Sequence, residues 1–524
     1  MDEFRNEIER INSLQETENG AIGYSTTKNE LVDLNFKVPS FRGGVPTDSL
    51  MAFDRAMERN LSYAIKWLFF LRDVREGLGE KRAFTEFFVR FMQRHPNEAT
   101  KMVSLIAEYG RWKDIFDIIE CANIPELKKV CYEVVEKQLR EDVENCTTNK
   151  PISLLAKWIP SINASDSVRH LAMDLRRHLG ISNREYRKML SRLRKYIGVV
   201  ERFTCANEWE KINYETVPSR ANLRYKDAFA KHDGYRYEKY LEAVMRGDGS
   251  AKMNASVLYP YEIWAKYTHI SGVNYWNRKV NMNNSLEAMW MNLKNIDCGG
   301  NTMVVCDGSG SMTAPIKGAN EVWAIDVSRS LSVYFAERCE GEFKNKFIEF
   351  SSNPHFIDIS GCHTLADKIA LVDQYNDCSN TDIEKVFMLL LNTALKNQME
   401  QSDLPERILI ISDMEFDSAT TCAYERNYFS TMKTLFDTIS ERYESAGYKM
   451  PRLVFWNVNS RTDTIPVKEN ELGVALVSGF SVNIAKMVMS GKTDPWLILK
   501  ETLDSERYAP IDKVLSSVIS SVEV

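Results

Sequence analysis

The 524-residue chain has no run of eighteen or more uncharged apolar residues, so it offers no segment of the length a helix needs to cross a bilayer. Its opening, MDEFRNEIERINSLQETENG, is acidic and polar and lacks the basic start and apolar run of a secretory signal. None of its ten cysteines forms a Cys-x-x-Cys pair, and no histidine stands at a zinc-finger spacing from one. A reducing, cytoplasmic setting without a membrane is the expectation, with Cys131 and Cys306, both in apolar runs, as small core residues. Gly-x-x-x-x-Gly-Lys-Ser/Thr is absent, which removes a phosphate-binding loop of that kind, and so is Gly-x-Ser-x-Gly. Histidine is scarce, with seven in all.

What is present is ordinary globular material, 44% hydrophobic and 27% charged, in a chain too long for one core. The net charge of −6 hides an asymmetry. Residues 1–295 carry 46 Lys and Arg against 40 acids, and residues 296–524 carry 21 against 33. A basic half joined to an acidic half implies different partners for each.

The periodicity changes along the chain. Residues 1–45 are broken by Gly20, Gly23, Pro39, Gly43 and Gly44 and read as irregular. From about 48 to 290 apolar residues recur at three- and four-residue steps, beginning with one long run, SLMAFDRAMERNLSYAIKWLFFLRDVREG. Consecutive helix pairs of this kind suggest a HEAT-like helical repeat. Trp112 and Trp158 read as buried at helix junctions. After Gly299–Gly300 strands alternate with helices. Strands are expected at 303–306, 347–352, 355–359, 407–414, 452–459 and 474–479, and helices at about Asn320–Cys339, 364–374, 381–396 and 424–446. That alternation predicts a mostly parallel, Rossmann-like sheet. The closing residues 494–524 read as helices that pack on the sheet or return to the helical part.

The chemistry concentrates in Asp307-Gly308-Ser309-Gly310-Ser311, directly after the apolar strand Met303–Cys306. Ligands of open α/β sheets bind outside the carboxyl ends of the strands. There Asp-x-Ser-x-Ser points one carboxylate and two hydroxyls at a common spot, while the glycines permit a tight loop. Thr381, in SNTD at a helix start, and Asp413, ending RILIISD, are the best further oxygen donors. Five hard oxygens suit Mg²⁺, with Mn²⁺ or Ca²⁺ as alternatives, and leave a position for water or a partner's oxygen. Asp382 is expected to cap or orient the loop. The competing account has Asp307 and the serines capping the helix from about Asn320, or has the site decayed. A phosphoester hydrolase would call for Asp-x-Asp-x-Thr, where this chain has Ser309, and for a nearby base, where only His355 and His363 come close in sequence.

A second concentration lies between Arg169 and Arg202, with ten Lys and Arg against three acids. On a helical wheel of REYRKMLSRLRKYIG, Tyr186, Met189, Leu190, Leu193 and Ile197 share one face. Arg184, Arg187, Lys188, Arg192, Arg194 and Lys195 share the other. Such a stripe neutralises phosphates, or it is a solvated face; both readings stand at this point.

A helical-repeat half followed by a metal-site half resembles the architecture of Ro ribonucleoproteins, a TROVE-type module plus a von Willebrand A domain. It is similar most of all to an uncharacterised Ro-allied family, in NGAIGYSTTKNELVDLNF (19–36), RDVREGLGEKRAF (72–84), YGRWKDI (109–115), AKWIPS (156–161), VPSRANLRYKDAF (217–229), VVCDGSGSM (304–312) and ERYAPI (506–511). The resemblance implies a ring of helical repeats joined by the A domain and binding non-coding RNA. It also implies a metal site formed by Asp307, Ser309, Ser311, Thr381 and Asp413, open to an acidic group from a protein partner. The expected division is an irregular segment (1–45), a helical-repeat domain (46–295), an α/β domain of von Willebrand A type (296–493) and a C-terminal helical segment (494–524). The expected function is a non-enzymatic RNA-binding scaffold. A metal-dependent protein-interaction module is the first alternative and a metal-dependent hydrolase the second.

Overall fold

A computed structural model of the chain describes residues 14–16, 22–122, 124–269, 279–296, 301–316, 319–375, 382–414, 432–459, 465, 474–484, 487 and 494–522. Contacts group the chain into two units, residues 1–56 with 241–503 and residues 57–240 with 504–524. Serial cuts after residues 45, 295 and 493, drawn from periodicity, do not coincide with these units. Periodicity marks a helix without naming the neighbour it packs against.

The first unit is α/β. Its main sheet comprises β1 (Thr302–Asp307), β2 (Lys346–Phe350), β3 (His355–Asp358), β4 (Arg407–Ser412), β5 (Arg452–Asn457) and β6 (Val474–Ser478), in the order β6-β5-β4-β1-β2-β3. All neighbours are parallel except the edge pair of β2 and β3. From its other edge the order is 3-2-1-4-5-6, the doubly wound arrangement, which changes direction between β1 and β4. TMVVC in β1 and ILIIS in β4 are buried at every position, as parallel strands covered on both faces require.

One face of the sheet receives the helices Ile383–Asn397 and Met432–Ser445. Met303 and Val305, Ile408 and Ile410, and Leu453 and Phe455 alternate along their strands to meet Val386, Phe387, Leu390, Phe436 and Ile439 in one core. The other face holds the helix Ala324–Ala336, buried at every residue. The expected start at Asn320 is displaced, because Ala319–Trp323 forms a strand paired with Pro315–Ile316.

Segments far off in sequence complete this unit. The helix Pro260–Thr268 lies against Ala324–Ala336, where buried Asp326 accepts from Thr268 Oγ1 at 3.0 Å and holds His269 at 2.5 Å. Glu287 reaches the start of the helix Leu365–Val372 and accepts from the backbone N–H groups of Leu365 (2.7 Å) and Ala366 (3.1 Å). A carboxylate at a helix start matches the positive end of the helix dipole. Residues 1–45 are not irregular throughout: Glu30–Phe36 is an α-helix and Val38–Gly43 a 3₁₀ helix. Asn457 Nδ2 donates to Phe36 O at 2.9 Å, and Ser478 Oγ donates to Asn35 O. The N-terminal segment thereby closes the carboxyl ends of β5 and β6.

The second unit is helical. The expected long run from 49 to 77 is two helices, Thr47–Arg59, most of which falls in the first unit, and Leu61–Arg72, because the Asn60 side chain accepts from Tyr63 N and starts a new helix. Leu61–Arg72, Arg82–Arg94, Trp112–Ala122, Pro125–Thr147 and Asn183–Ile197 each pack on the next in that order. Of the C-terminal helices, Pro495–Leu503 packs beside β6, and Ala509–Val522 packs on Leu61–Arg72 and Pro96–Met102.

Three of the sequence phrases meet in this unit. Arg507 of ERYAPI pairs with Asp73 of RDVREG at 2.8 Å, and its backbone carbonyl accepts from Tyr109 Oη of YGRWKDI at 2.7 Å. The Tyr109 and Tyr508 rings stack with centroids 5.6 Å apart. Arg72 Nε donates to Asp114 Oδ2 at 2.7 Å, with neither residue exposed. No described helix is long and apolar enough to cross a membrane.

Candidate functional site

Asp307 ends β1 and Asp413 directly follows β4, the two neighbours at which the sheet changes direction. Both are about 1% exposed. One oxygen of Asp307 accepts from the backbone N–H of Ser309 at 2.9 Å, folding the loop back on its own acid. The other accepts from Ser412 Oγ at 2.5 Å. Ser412 Oγ in turn accepts from Met414 N at 3.0 Å. One serine therefore ties the Asp307 loop to the turn that carries Asp413. Met414, buried behind it, is held at φ +65°, a conformation a long side chain adopts at a cost of about 1 kcal/mol or more.

Ser309 Oγ and Ser311 Oγ lie 2.9 Å apart. Oxygens about 2.1 Å from Mg²⁺ along one edge of an octahedron are about 3.0 Å from each other, so the spacing fits that ion. Ser309 is nearly buried, whereas Ser311 is half-buried and Gly310 exposed, which puts the loop's rim at the surface. The loop does not cap the following helix: Ala324–Ala336 begins after Trp323, which supplies no side-chain cap. The capping account of Asp307 thus falls away for that helix. Thr381 lies outside the described residues. Asp382, next to it, caps the helix Ile383–Asn397 by accepting from Lys385 N at 3.1 Å.

Sequence reading missed two neighbours of this loop. Ser412 closes an apolar run and looks like core. Glu349, on β2, is 3% exposed and would lie 3.6 Å from a Cβ placed on Gly308. It lies 3.3 Å from His355 Nε2, and His355 is half-buried. Cys306, beneath the loop, is a core thiol whose pKa burial pushes up to about 11. No group of three or more His, Cys, Asp or Glu gathers among the described residues.

On the helical unit the six basic candidates occupy the helix Asn183–Ile197, whose start is fixed by a reciprocal cap between Ser182 and Glu185. Tyr186, Leu190 and Leu193 are buried beneath it. Arg184, Arg187, Lys188, Arg192 and Lys195 are exposed. Arg194 departs from the set. It stands one turn after Leu190, at the edge of the buried face, and donates to Ala156 O (2.8 Å), Ser161 Oγ (2.8 Å) and Ile159 O (2.7 Å). It fastens the segment 156–161, from the helix Leu155–Trp158 onward, and is not available to a ligand. Trp112 and Trp158, expected as buried, are each half-buried.

With the geometry in place, comparison assigns the chain. The model named Domain of unknown function (DUF2828) matches residues 17–145 and 165–299, just over half of the sequence. The chain belongs to the DUF2828 family. A second model, Domain of unknown function (DUF7788), matches residues 301–507, which include the sheet with Asp307 and Asp413. The DUF2828 match also contains the cationic helix, so each candidate site falls within one matched region. The chain is 26% identical to the uncharacterized protein L728 of Acanthamoeba polyphaga mimivirus over 538 residues, covering 95% of this chain and 89% of that protein.

Proposed function

We propose that this protein is a non-enzymatic RNA-binding scaffold of Ro type. Its helical unit is read as a HEAT-like array that binds non-coding RNA, and its α/β unit as a von Willebrand A-type domain that holds one divalent metal. The observation that carries the RNA reading is the row Arg184, Lys188, Arg192 and Lys195. All four are exposed on one helix face, and none makes an ion pair among the described residues. Other nearby bases are committed: Arg177 and Lys128 to Asp174, and Arg140 to Glu136. A row of uncommitted cations on a rigid helix releases counterions from a phosphate backbone when it binds. Arg187 lies beside the row and donates its Nε to Asn183 O. The protein purified from cells, split and treated or not with RNase, tests the reading: RNA of defined sequence copurifies only in the untreated half. Absence of RNA from both halves contradicts it.

For the metal, Asp307 and Asp413 supply charge, and the Ser309–Ser311 pair supplies a matched edge; Thr381 is the proposed fifth donor. Magnesium is the natural occupant, with manganese or calcium as substitutes. When bound, the ion provides one Lewis-acidic position for water or for a carboxylate. A second reading follows from the exposed rim at Gly310 and the half-buried Ser311: a protein partner presents an acidic side chain to the ion there. Pull-down from lysate separates the two. Loss of partners with EDTA but not with RNase favours the protein-interaction reading; loss with RNase but not with EDTA favours the RNA scaffold.

A further inference from the structure

The cationic row ends beside an aromatic ring. Tyr196 follows Lys195 and stands one turn after Arg192 on the helix Asn183–Ile197. Residues four apart on a helix are surface neighbours, with Cβ atoms about 5–6 Å from each other. At about 3.6 residues per turn, Tyr196 falls between the exposed row and the buried face of Tyr186, Leu190 and Leu193. The two tyrosines of this helix differ accordingly. Tyr186 is fully buried and donates its hydroxyl to Pro160 O at 2.8 Å, whereas Tyr196 is 38% exposed.

The Tyr196 ring is nevertheless held in place. Its Oη donates to Lys150 O at 2.9 Å. Lys150 lies in a turn that is tied down on both sides. Its own N–H donates to Asn145 O at 2.9 Å. A few residues on, Ser153 donates through its N–H (2.9 Å) and its Oγ (2.6 Å) to Asp142, which is fully buried and also accepts from Gln138 Nε2 at 3.1 Å. The far end of the phenol is thus fixed to a rigid segment while part of the ring faces water. That segment adds exposed surface of its own at Lys150, Pro151 and Leu154. A ring already ordered gives up little rotamer freedom when a flat group settles on it. Bases and phosphates alternate along a nucleic-acid strand, so a strand whose phosphates lie on the row brings a base to the row's aromatic end. In a duplex the faces of each base are covered by stacked neighbours; an unpaired strand can splay a base onto an aromatic side chain.

We infer that Tyr196 is a base-stacking residue: it takes one unstacked base of an RNA strand whose phosphates lie along Arg184, Lys188, Arg192 and Lys195, and so makes this surface prefer single strands to duplex. The choice of RNA rests on the function proposed above; the contact is a separate claim about one ring. The test uses the full chain and three probes at one salt concentration: a short single-stranded RNA, an RNA duplex with the same number of phosphates, and inorganic polyphosphate, which carries no base. Tyr196→Ala is expected to weaken single-strand binding about tenfold, as loss of one stacked base does, and to leave duplex and polyphosphate binding unchanged. The salt slope for the single strand stays the same, because no phosphate contact is lost. Tyr196→Phe keeps the ring and most of the affinity. Tyr196→Leu keeps an apolar side chain without an aromatic face and binds like Tyr196→Ala, so it remains informative if the smaller side chain loosens the segment. Equal weakening for the single strand and for polyphosphate, or natural affinity in Tyr196→Leu, overturns the stacking contact. Single-strand binding that survives Tyr196→Ala overturns the contact alone; a natural chain that binds neither RNA overturns the RNA function on which it rests.

Discussion

In the α/β unit, Asp307 and Asp413 are about 1% exposed and sit at the ends of neighbouring parallel strands, held through Ser412 and the backbone of their own loop. In the helical unit, Arg184, Lys188, Arg192 and Lys195 stand on the outside of one helix with no ion pair among the described residues. The acids are fixed by topology: reordering the sheet would separate them. The bases are fixed by the period of one helix and would keep their row on any helix with the same buried face. Under the function proposed above, the buried acids hold one small cation and the exposed row meets a repeated anion.

The contrast can be broken at several points. The largest effect is expected from a buried charge in the helical unit. Asp114→Ala leaves Arg72 uncompensated at full burial and should cost about 3–5 kcal/mol in urea-induced unfolding. Reversing the exposed row should cost little stability by the same measurement. Equal costs would dissolve the distinction between buried and exposed charge.

Ser412→Ala should leave the fold intact and weaken Mn²⁺ binding, read by calorimetry, about 10–100-fold, as loss of an orienting hydrogen bond to a ligand typically does. Unchanged affinity would mean that Asp307 needs no tether. Arg194→Ala should lower stability by about 2 kcal/mol, because three acceptors on the segment 156–161 lose a charged donor. In filter binding it should leave RNA affinity nearly unchanged, in contrast to Lys188→Ala.

The two sites were legible to different degrees, for physical reasons. Asp307, Ser309, Ser311 and Asp413 stand out because each follows an apolar strand, and the alternation of strand and helix places strand ends together. Ser412 does not stand out, since a small residue closing RILIIS reads as packing. Arg194 looks like its five basic neighbours until its acceptors are known, and those lie 33 to 38 residues away. The helix Pro260–Thr268 has the period of the helical half, but its partner Asp326 is 58 residues beyond Thr268. The pairing of Arg507 with Asp73 spans 434 residues. Local patterns report faces and ends; which faces meet is a non-local property.

The most direct test of the proposed function is the salt dependence of RNA binding. Filter binding of a single-stranded RNA is measured over a range of salt concentrations for the natural chain and for R184E/K188E/R192E/K195E. Four lost phosphate contacts should flatten the slope of log affinity against log salt by about 3 and weaken binding at every salt concentration. The same slope and the same affinity in both proteins would contradict the account.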